Sequence, residues 1–486
     1  MTDSIPVQDV ESIKKQEQLP LYMNRNRVYP RRVSGPYRSV KWWVLAVTLT
    51  AYYIGPWLRW DRGPGAPDQA LLIDMPNRRA YFFFLEIWPQ EVYYLAGLLI
   101  LGAIGLFLVT SLMGRVWCGY TCPQTVWTDL FMWVERRIEG DRNTRMKLDR
   151  APFGLSKAAK KMAKHGTWLA ISFVTGGAWI MYFRDAPTVV EEFFTGQASL
   201  NVYFFTGLFT ATTYLLAGWA REQVCTYMCP WPRFQAAMFD EHSLIVTYEA
   251  WRGEPRGKHK QGADRDGRGD CVDCNWCVAV CPTGIDIRDG QQLECIGCGL
   301  CIDACNPVMD KLGLPRGLIR LDTTSKQAAR AEGRTAPLKL VRPRTVVYGA
   351  LLVIVAGIMA WSLLTRAKLE VNVLHDRSPL FVALSDGGVR NGYTFKILNM
   401  NPTPRSYRLT LEGLEAATMS IVGVAEAGAR AATLIAPPDQ VATYRVLVVA
   451  PPGSLGAPST PLTFALTDQQ TGEQAVNNTV FRGPER

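Results

Sequence analysis

The run CVDCNWCVAVCP (residues 271–282), followed by CIGCGLCIDAC (residues 295–305), decides how this chain is read. Each copy holds three cysteines with two residues between neighbours, then a fourth after three more: Cys271, Cys274, Cys277 and Cys281, then Cys295, Cys298, Cys301 and Cys305. This is the duplicated ligand run of bacterial two-cluster ferredoxins. Three closely spaced thiolates wrap three irons of a cubane, and the fourth iron is reached by a thiolate from the other copy. The spacing therefore predicts one [4Fe–4S] cluster on Cys271, Cys274, Cys277 and Cys305, and a second on Cys295, Cys298, Cys301 and Cys281. Pro282 ends the turn after the crossing ligand; in the second copy Asn306 stands between Cys305 and Pro307. Gly297 and Gly299 let the backbone pack close and turn N–H groups toward sulfur. Zinc also takes four cysteines, but its modules present two separated Cys-x2-Cys pairs.

Working outward, all 12 cysteines lie between Cys118 and Cys305. That confinement predicts a reducing compartment, with thiols used for metal or redox work instead of bridging. A chain of 486 residues suggests about three domains. Its mean hydropathy near zero averages strongly apolar and strongly polar blocks. The net charge of +10 gathers beside the apolar stretches, which points to a membrane and away from nucleic acid. The polar N-terminus carries no signal peptide pattern.

Five charge-poor stretches reach spanning length: residues 40–57, 92–114, 167–183, 199–220 and 346–364. Arg25, Arg27, Arg31, Arg32 and Arg38 precede the first, and the loop after the second holds eleven Lys and Arg from Arg115 to Lys164. By contrast, Arg184 is alone beside Asp185, Glu191 and Glu192, and segment 59–91 has four Arg against five acids. The positive-inside rule then places the N-terminus and the cysteine runs in the cytoplasm and the residues after about 366 outside. Segment 80–88 (AYFFFLEIW) is too short to span and is expected in the outer interface. Linker 252–270, rich in Gly, Pro and charge, reads as flexible. The tail alternates polar and apolar at 393–397, 407–411 and 444–449 between turn clusters such as 386–388, 401–404, 437–439 and 451–453, which suggests an immunoglobulin-like sandwich.

Two further pairs, Cys118/Cys122 (WCGYTCP) and Cys225/Cys229 (VCTYMCP), repeat Cys-x-x-x-Cys-Pro at the cytoplasmic edge of the second and fourth spans. Four residues apart, both thiols of a pair share one face if the helix persists, and Pro123 and Pro230 mark its end or the next start. The four thiols could meet as one four-sulfur site. Soft thiolates suit Cu(I), zinc or iron–sulfur chemistry; a dithiol/disulfide couple and buried structural cysteine are the competing readings. Met228 is a candidate thioether ligand that packing explains as well. The four histidines, His165, His242, His259 and His375, lie outside the spans, so paired haem ligands are absent. No G-x-G-x-x-G follows a strand.

The order of hairpins, twin Cys-x-x-x-Cys-Pro, ferredoxin run, fifth span and strand-rich tail resembles the CcoG/FixG/RdxA family of cytochrome c oxidase accessory proteins over nearly the whole chain. Specific matches are VWCGYTCP at 116–123, RGEPRG at 252–257, CPTGID at 281–286 and GLIR at 317–320. The resemblance implies a bacterial cytoplasmic-membrane protein that reduces Cu(II) to Cu(I) for assembly of a haem–copper oxidase. On that analogy the clusters carry electrons, and Cys118, Cys122, Cys225 and Cys229 bind copper or reduce it. Membrane, oxidase assembly machinery and an unnamed electron donor are the implied partners. A quinol-oxidising respiratory subunit and a copper-holding, non-catalytic assembly factor are the alternatives. The expected architecture is a multi-domain membrane protein: a cytoplasmic tail (1–39), a transmembrane helical region (40–230), a two-cluster ferredoxin-like insertion (231–345), a fifth span (346–364) and an extracytoplasmic all-β immunoglobulin-like domain (365–486).

Overall fold

The computed structural model describes residues 5–10, 12, 27–63, 66–258, 267–401, 403–424 and 428–484. The chain divides into two compact units, one of Met1–Arg59 and Gln69–Met359, the other of Trp60–Asp68 and Ala360–Arg486. Arg25, His259, Pro402 and the linker stretch 259–266 lie outside the described residues.

The first unit is mainly helical. Its helices are α1 (Pro36–Ile54), α2 (Tyr93–Met113), α3 (Pro123–Glu139), α4 (Arg142–Arg150), α5 (Leu155–Ile180), α6 (Ala186–Thr195), α7 (Leu200–Thr213), α8 (Trp231–Met238), α9 (Ala250–Gly253), α10 (Trp276–Ala279), α11 (Leu300–Leu312), α12 (Thr324–Ala331) and α13 (Pro343–Leu364). Among the described residues, three helical stretches are long and apolar enough to cross a bilayer: Pro89–Met113, Leu200–Ala220 and Pro343–Leu364. The chain is thus a multi-pass membrane protein, with three of the five expected spans meeting that standard.

The other two expected spans fall on α1 and α5, which are longer than their apolar runs. Each begins in charged sequence: α1 buries Arg38 and Lys41, and α5 buries Lys164. These cations are met by acids of α3, Lys41 by Asp129 at 2.9 Å and Lys164 by Glu139 at 2.9 Å. Glu135, a turn before Glu139, takes Arg145 at 2.5 Å and Arg221 at 2.8 Å. Beyond their charged starts both helices expose apolar side chains, Trp43 and Val47 on α1, Leu169 and Val174 on α5.

Strands β1 (Leu71–Asp74), β2 (Arg79–Phe82) and β3 (Leu85–Ile87) form a small antiparallel sheet. Segment 80–88 is therefore a β-hairpin, with Phe84 exposed at its turn. Strands β4 (Ile245–Tyr248) and β5 (Ile319–Asp322) pair antiparallel, Tyr248 opposite Ile319, and so close the cysteine-rich segment into one loop. Its apolar core gathers Val246, Val278, Ile287, Ile302 and Leu318 around Cys271 and Cys277. The described ends of linker 252–270 are tied by hydrogen bonds and an ion pair. The Asp270 N–H donates to the Arg252 carbonyl at 2.9 Å, Gly257 N–H donates to the Cys271 carbonyl at 3.0 Å, and the Arg252 guanidinium pairs with the Asp270 carboxylate.

The second unit holds two antiparallel sheets. One runs β10 (Thr418–Ile421), β12 (Gln440–Ala450), β8 (Val389–Asn399), β6 (Leu369–His375), with β7 (Val382–Ala383) also on β8; the other runs β11 (Ala431–Ala436), β9 (Arg405–Glu412), β13 (Ser459–Asp468), β14 (Gln474–Arg482). The alternating segments 393–397, 407–411 and 444–449 lie within β8, β9 and β12. Their inward residues, among them Phe395, Ile397, Leu409 and Val446, share one core between the sheets with Phe464 of β13, as period-two strands facing each other must.

Candidate functional site

The two cysteine runs fold alike. In the first, Asp273 and Asn275 take the left-handed conformation (φ 52° and 57°); in the second, Gly297 and Gly299 do so at the matching positions (φ 69° and 72°). Asp and Asn tolerate that region better than other side chains, so the glycine signal of the second copy has a counterpart that sequence reading missed. The turns aim backbone donors at sulfur: the N–H of Trp276 at Cys274, of Gly297 at Cys295, of Leu300 at Cys298, and of Ile319 at Cys305.

The thiols group across the copies. Cys305 feels the charge of Cys274 and Cys271, and Cys277 feels Cys305 and Cys274. In the other group Cys295 and Cys298 both feel Cys281, and Cys301 feels Cys298, Cys295, Cys281 and, across the gap, Cys277. Cys281, Cys295, Cys298 and Cys301 line one recess with Ile285 and Ile287, and Cys277 of the other group reaches it too. Burial pushes the Cys295 and Cys305 thiols up to about 12, so metal-free they stay neutral at ordinary pH. Four thiols per group, amide donors to sulfur and an apolar sheath fit a cubane, whose irons supply the charge that makes thiolate affordable. Among the described residues no group of three or more His, Cys, Asp or Glu side chains is drawn together tightly enough to hold a single metal ion.

The Cys-x-x-x-Cys-Pro motifs form matching turns. Gly114 and Arg221, each four residues before the first cysteine, have positive φ (61° and 45°). The chain then widens into a π-turn: Cys122 N–H donates to the Trp117 carbonyl at 2.9 Å and Cys229 N–H to the Val224 carbonyl at 2.8 Å. A wide turn, not a persisting α-helix, therefore spaces each pair, and such turns recur at functional sites. Pro123 then starts α3, and Pro230 caps α8. The Cys122 sulfur receives N–H groups of Gln124 and Thr125 at the α3 start. The Cys118 thiol donates to Gln235 Oε1 at 3.2 Å. Burial first, then Cys122, pushes Cys118 up to about 12, against the pull of Arg115. Burial does the same for Cys225, with help from Cys122, Cys118 and Cys229. The four thiols are thus near enough to act on one another electrostatically.

The ferredoxin-like segment is seated on these turns. Arg115 Nη1 donates to the Cys295 carbonyl at 2.9 Å and Nη2 to the Pro232 carbonyl at 2.8 Å. Cys118 packs against a cluster that includes Ile296 and Cys298. Asp303 of α11 accepts the Arg38 N–H at 2.7 Å and the Tyr37 N–H at 3.3 Å, capping α1. Arg115, Gln235 and Asp303 carry no motif that sequence reading could single out, and Tyr120, though inside VWCGYTCP, is given no role by that motif. Met228 is exposed.

Comparison with known families matches residues 220–324 to a 4Fe-4S dicluster domain, residues 95–140 to a 4Fe-4S binding domain, and residues 359–484 to the immunoglobulin-like fold at the C-terminus of FixG. The nitrogen fixation protein FixG of Rhizobium meliloti (strain 1021) is 51% identical, over 96% of this chain and 94% of its own. Protein RdxB of Cereibacter sphaeroides is 48% identical over 95% of this chain and 97% of its own, and protein RdxA of the same organism 48% over 92% and 93%. The second match places Cys118 and Cys122 inside an iron–sulfur family region, outside the ferredoxin run itself.

Proposed function

The chain belongs to the family of FixG, RdxA and RdxB, iron–sulfur, membrane-linked electron-transfer proteins, and from that premise we propose that it reduces Cu(II) to Cu(I) for the assembly of a haem–copper oxidase. In this reading Cys271, Cys274, Cys277 and Cys305 hold one [4Fe–4S] cluster, and Cys281, Cys295, Cys298 and Cys301 hold the other. Bound there, each cluster supplies one-electron uptake and release. Cys118, Cys122, Cys225 and Cys229 bind the copper substrate, whose soft reduced form thiolates favour. Arg115 and Gln235 fix the turn that carries Cys118, and the α3 N-terminus stabilises a Cys122 thiolate when copper displaces its proton. The observation that carries the reading is the seating of the Cys118 turn against Cys298. Five spans, with α1 and α5 among them, the cysteine runs in the cytoplasm and the β-sandwich outside complete the proposal.

A quinol-oxidising role draws support from an open apolar groove walled by Tyr52, Trp127, Trp179, Phe209 and Leu216, which reaches Pro123 beside Cys122. The two readings part in one experiment. Anaerobically purified protein should carry about eight irons and eight sulfides per chain, and once reduced by dithionite it should convert Cu(II) to Cu(I) trapped by a chelator. Full cluster load with oxidation by a quinone and none by Cu(II) would favour the other role. Copper bound without any turnover would make the protein a copper-holding factor.

A further inference from the structure

The cysteine-rich segment meets the first Cys-x-x-x-Cys-Pro turn through two consecutive residues. Gly119 follows Cys118, and a Cβ built on it would lie 2.9 Å from the Ile296 carbonyl oxygen and 3.1 and 3.2 Å from Cys298 Cα and N. Its backbone is not left-handed, so glycine is required there by space and not by conformation. Tyr120 donates its hydroxyl to the Cys298 carbonyl at 3.0 Å. Arg115, three residues before Cys118, donates to the Cys295 carbonyl. All of these contacts fall on the second cysteine run. The path from the Cys298 carbonyl to the Cys118 sulfur is one hydrogen bond and then the covalent chain of Tyr120, Gly119 and Cys118.

We propose that Gly119 and Tyr120 form the junction through which electrons pass to the membrane-edge thiols, and that the Cys281/Cys295/Cys298/Cys301 group lies on the delivering side. The Cys271/Cys274/Cys277/Cys305 group, which adjoins it through Cys277 and Cys301, is then the intake side. The proposal rests on the cupric-reductase reading above. For each electron passed, the delivering group is oxidised by one electron and one Cu(II) at the thiols becomes Cu(I); no covalent bond changes and no proton moves. Gly119 sets the close approach. Tyr120 is a positioning residue: its hydroxyl fixes the Cys298 backbone and directs a dipole toward the sulfurs that backbone carries. That dipole favours the more negative, reduced state of the group they hold.

Tyr120→Phe keeps the ring and removes only the hydroxyl, so it tests the junction without opening the packing. The holoprotein variant should keep wild-type iron, sulfide and Cu(I) affinity. Its Cu(II) reduction should slow about tenfold, the lower end of the range for outer-shell hydrogen bonds. In an electron-paramagnetic-resonance redox titration with dithionite, one of the two cluster signals should move to lower potential while the other stays. Gly119→Ala should slow the reaction further by pushing the two backbones apart. Unchanged rate and unchanged potentials in Tyr120→Phe would overturn the proposal, as would equal shifts of both signals. Should wild-type protein fail to reduce Cu(II), the cupric-reductase reading falls, and the potentials alone decide the junction: a selective shift keeps Tyr120 on one cluster, and no shift removes it.

Discussion

Replacing Asp129 by Asn tests the charge arrangement that seats α1 beneath the cysteine-rich segment. Asp129 is 3% exposed and lies 2.9 Å from Lys41 Nζ and 3.1 Å from Arg38 Nη1, both cations themselves buried. Asn has the same shape without the charge, so Asp129→Asn removes the carboxylate that the buried Lys41 and Arg38 share. Breaking a buried pair in this way costs about 3–5 kcal/mol, because the surviving charge stays desolvated. At roughly 2 °C per kcal/mol for a chain of this size, the melting temperature should fall by about 6–10 °C. The assay is thermal melting of the holoprotein in detergent, followed together by far-ultraviolet circular dichroism and cluster absorbance. A second variant, Asp129→Asn with Lys41→Met, removes one of the two cations and should recover part of the loss. The pH dependence has a definite sign. Burial raises the Asp129 carboxyl, but Lys41 and Arg38 outweigh it and hold it below its usual value of 3.8. Its contribution is therefore present above that value and lost as pH falls through the lower folded one. The difference between wild type and Asp129→Asn should be flat near neutrality and close in acid. A melting temperature within about 1 °C of wild type at neutral pH, well short of the expected loss, would refute the reasoning.

Other outcomes follow from the same contacts. Cys274→Ala and Cys298→Ala should both lose cluster iron, but only Cys298→Ala should also weaken Cu(I) binding, by about tenfold or 1.4 kcal/mol, because Cys118 packs against the apolar cluster that includes the Cys298 side chain; equal copper affinity in the two variants, by competition with a Cu(I) chelator, would count against that packing. Asp303→Ala removes the cap of α1 and should cost about 1 kcal/mol, seen as a melting shift of roughly 2 °C. A reporter active only outside the cytoplasm should respond when fused at Arg486 and stay silent at Lys311; the reverse would place the cysteine runs in an oxidising compartment.

What the sequence made legible was what is encoded locally. The strands of the tail follow from period-two alternation. The helical stretches Pro89–Met113 and Pro343–Leu364 follow from unbroken apolar runs. What it hid is set by distant partners. Tyr120 and Cys298 are 178 residues apart, and neither a glycine nor a tyrosine announces such a contact. The π-turns depend on where Pro123 and Pro230 stop one turn and start the next, which the four-residue spacing alone leaves open. α1 and α5 run past their apolar stretches because acids of α3 neutralise Lys41 and Lys164, and composition alone cannot show that. Linker 252–270 has the make-up of a flexible segment, yet the Arg252–Asp270 pair ties its two ends together.

The central claim is that electrons stored by the cysteine runs reach copper at the membrane-edge thiols. Anaerobic stopped-flow mixing of dithionite-reduced, desalted protein with Cu(II), following cluster absorbance and chelated Cu(I) together, tests it most directly. Wild type should reoxidise with about one Cu(I) formed per electron lost from each one-electron cluster, while Cys118→Ala and Cys225→Ala, with iron and sulfide intact, should stay reduced. Wild-type rates in those two variants would contradict the account and place copper reduction elsewhere.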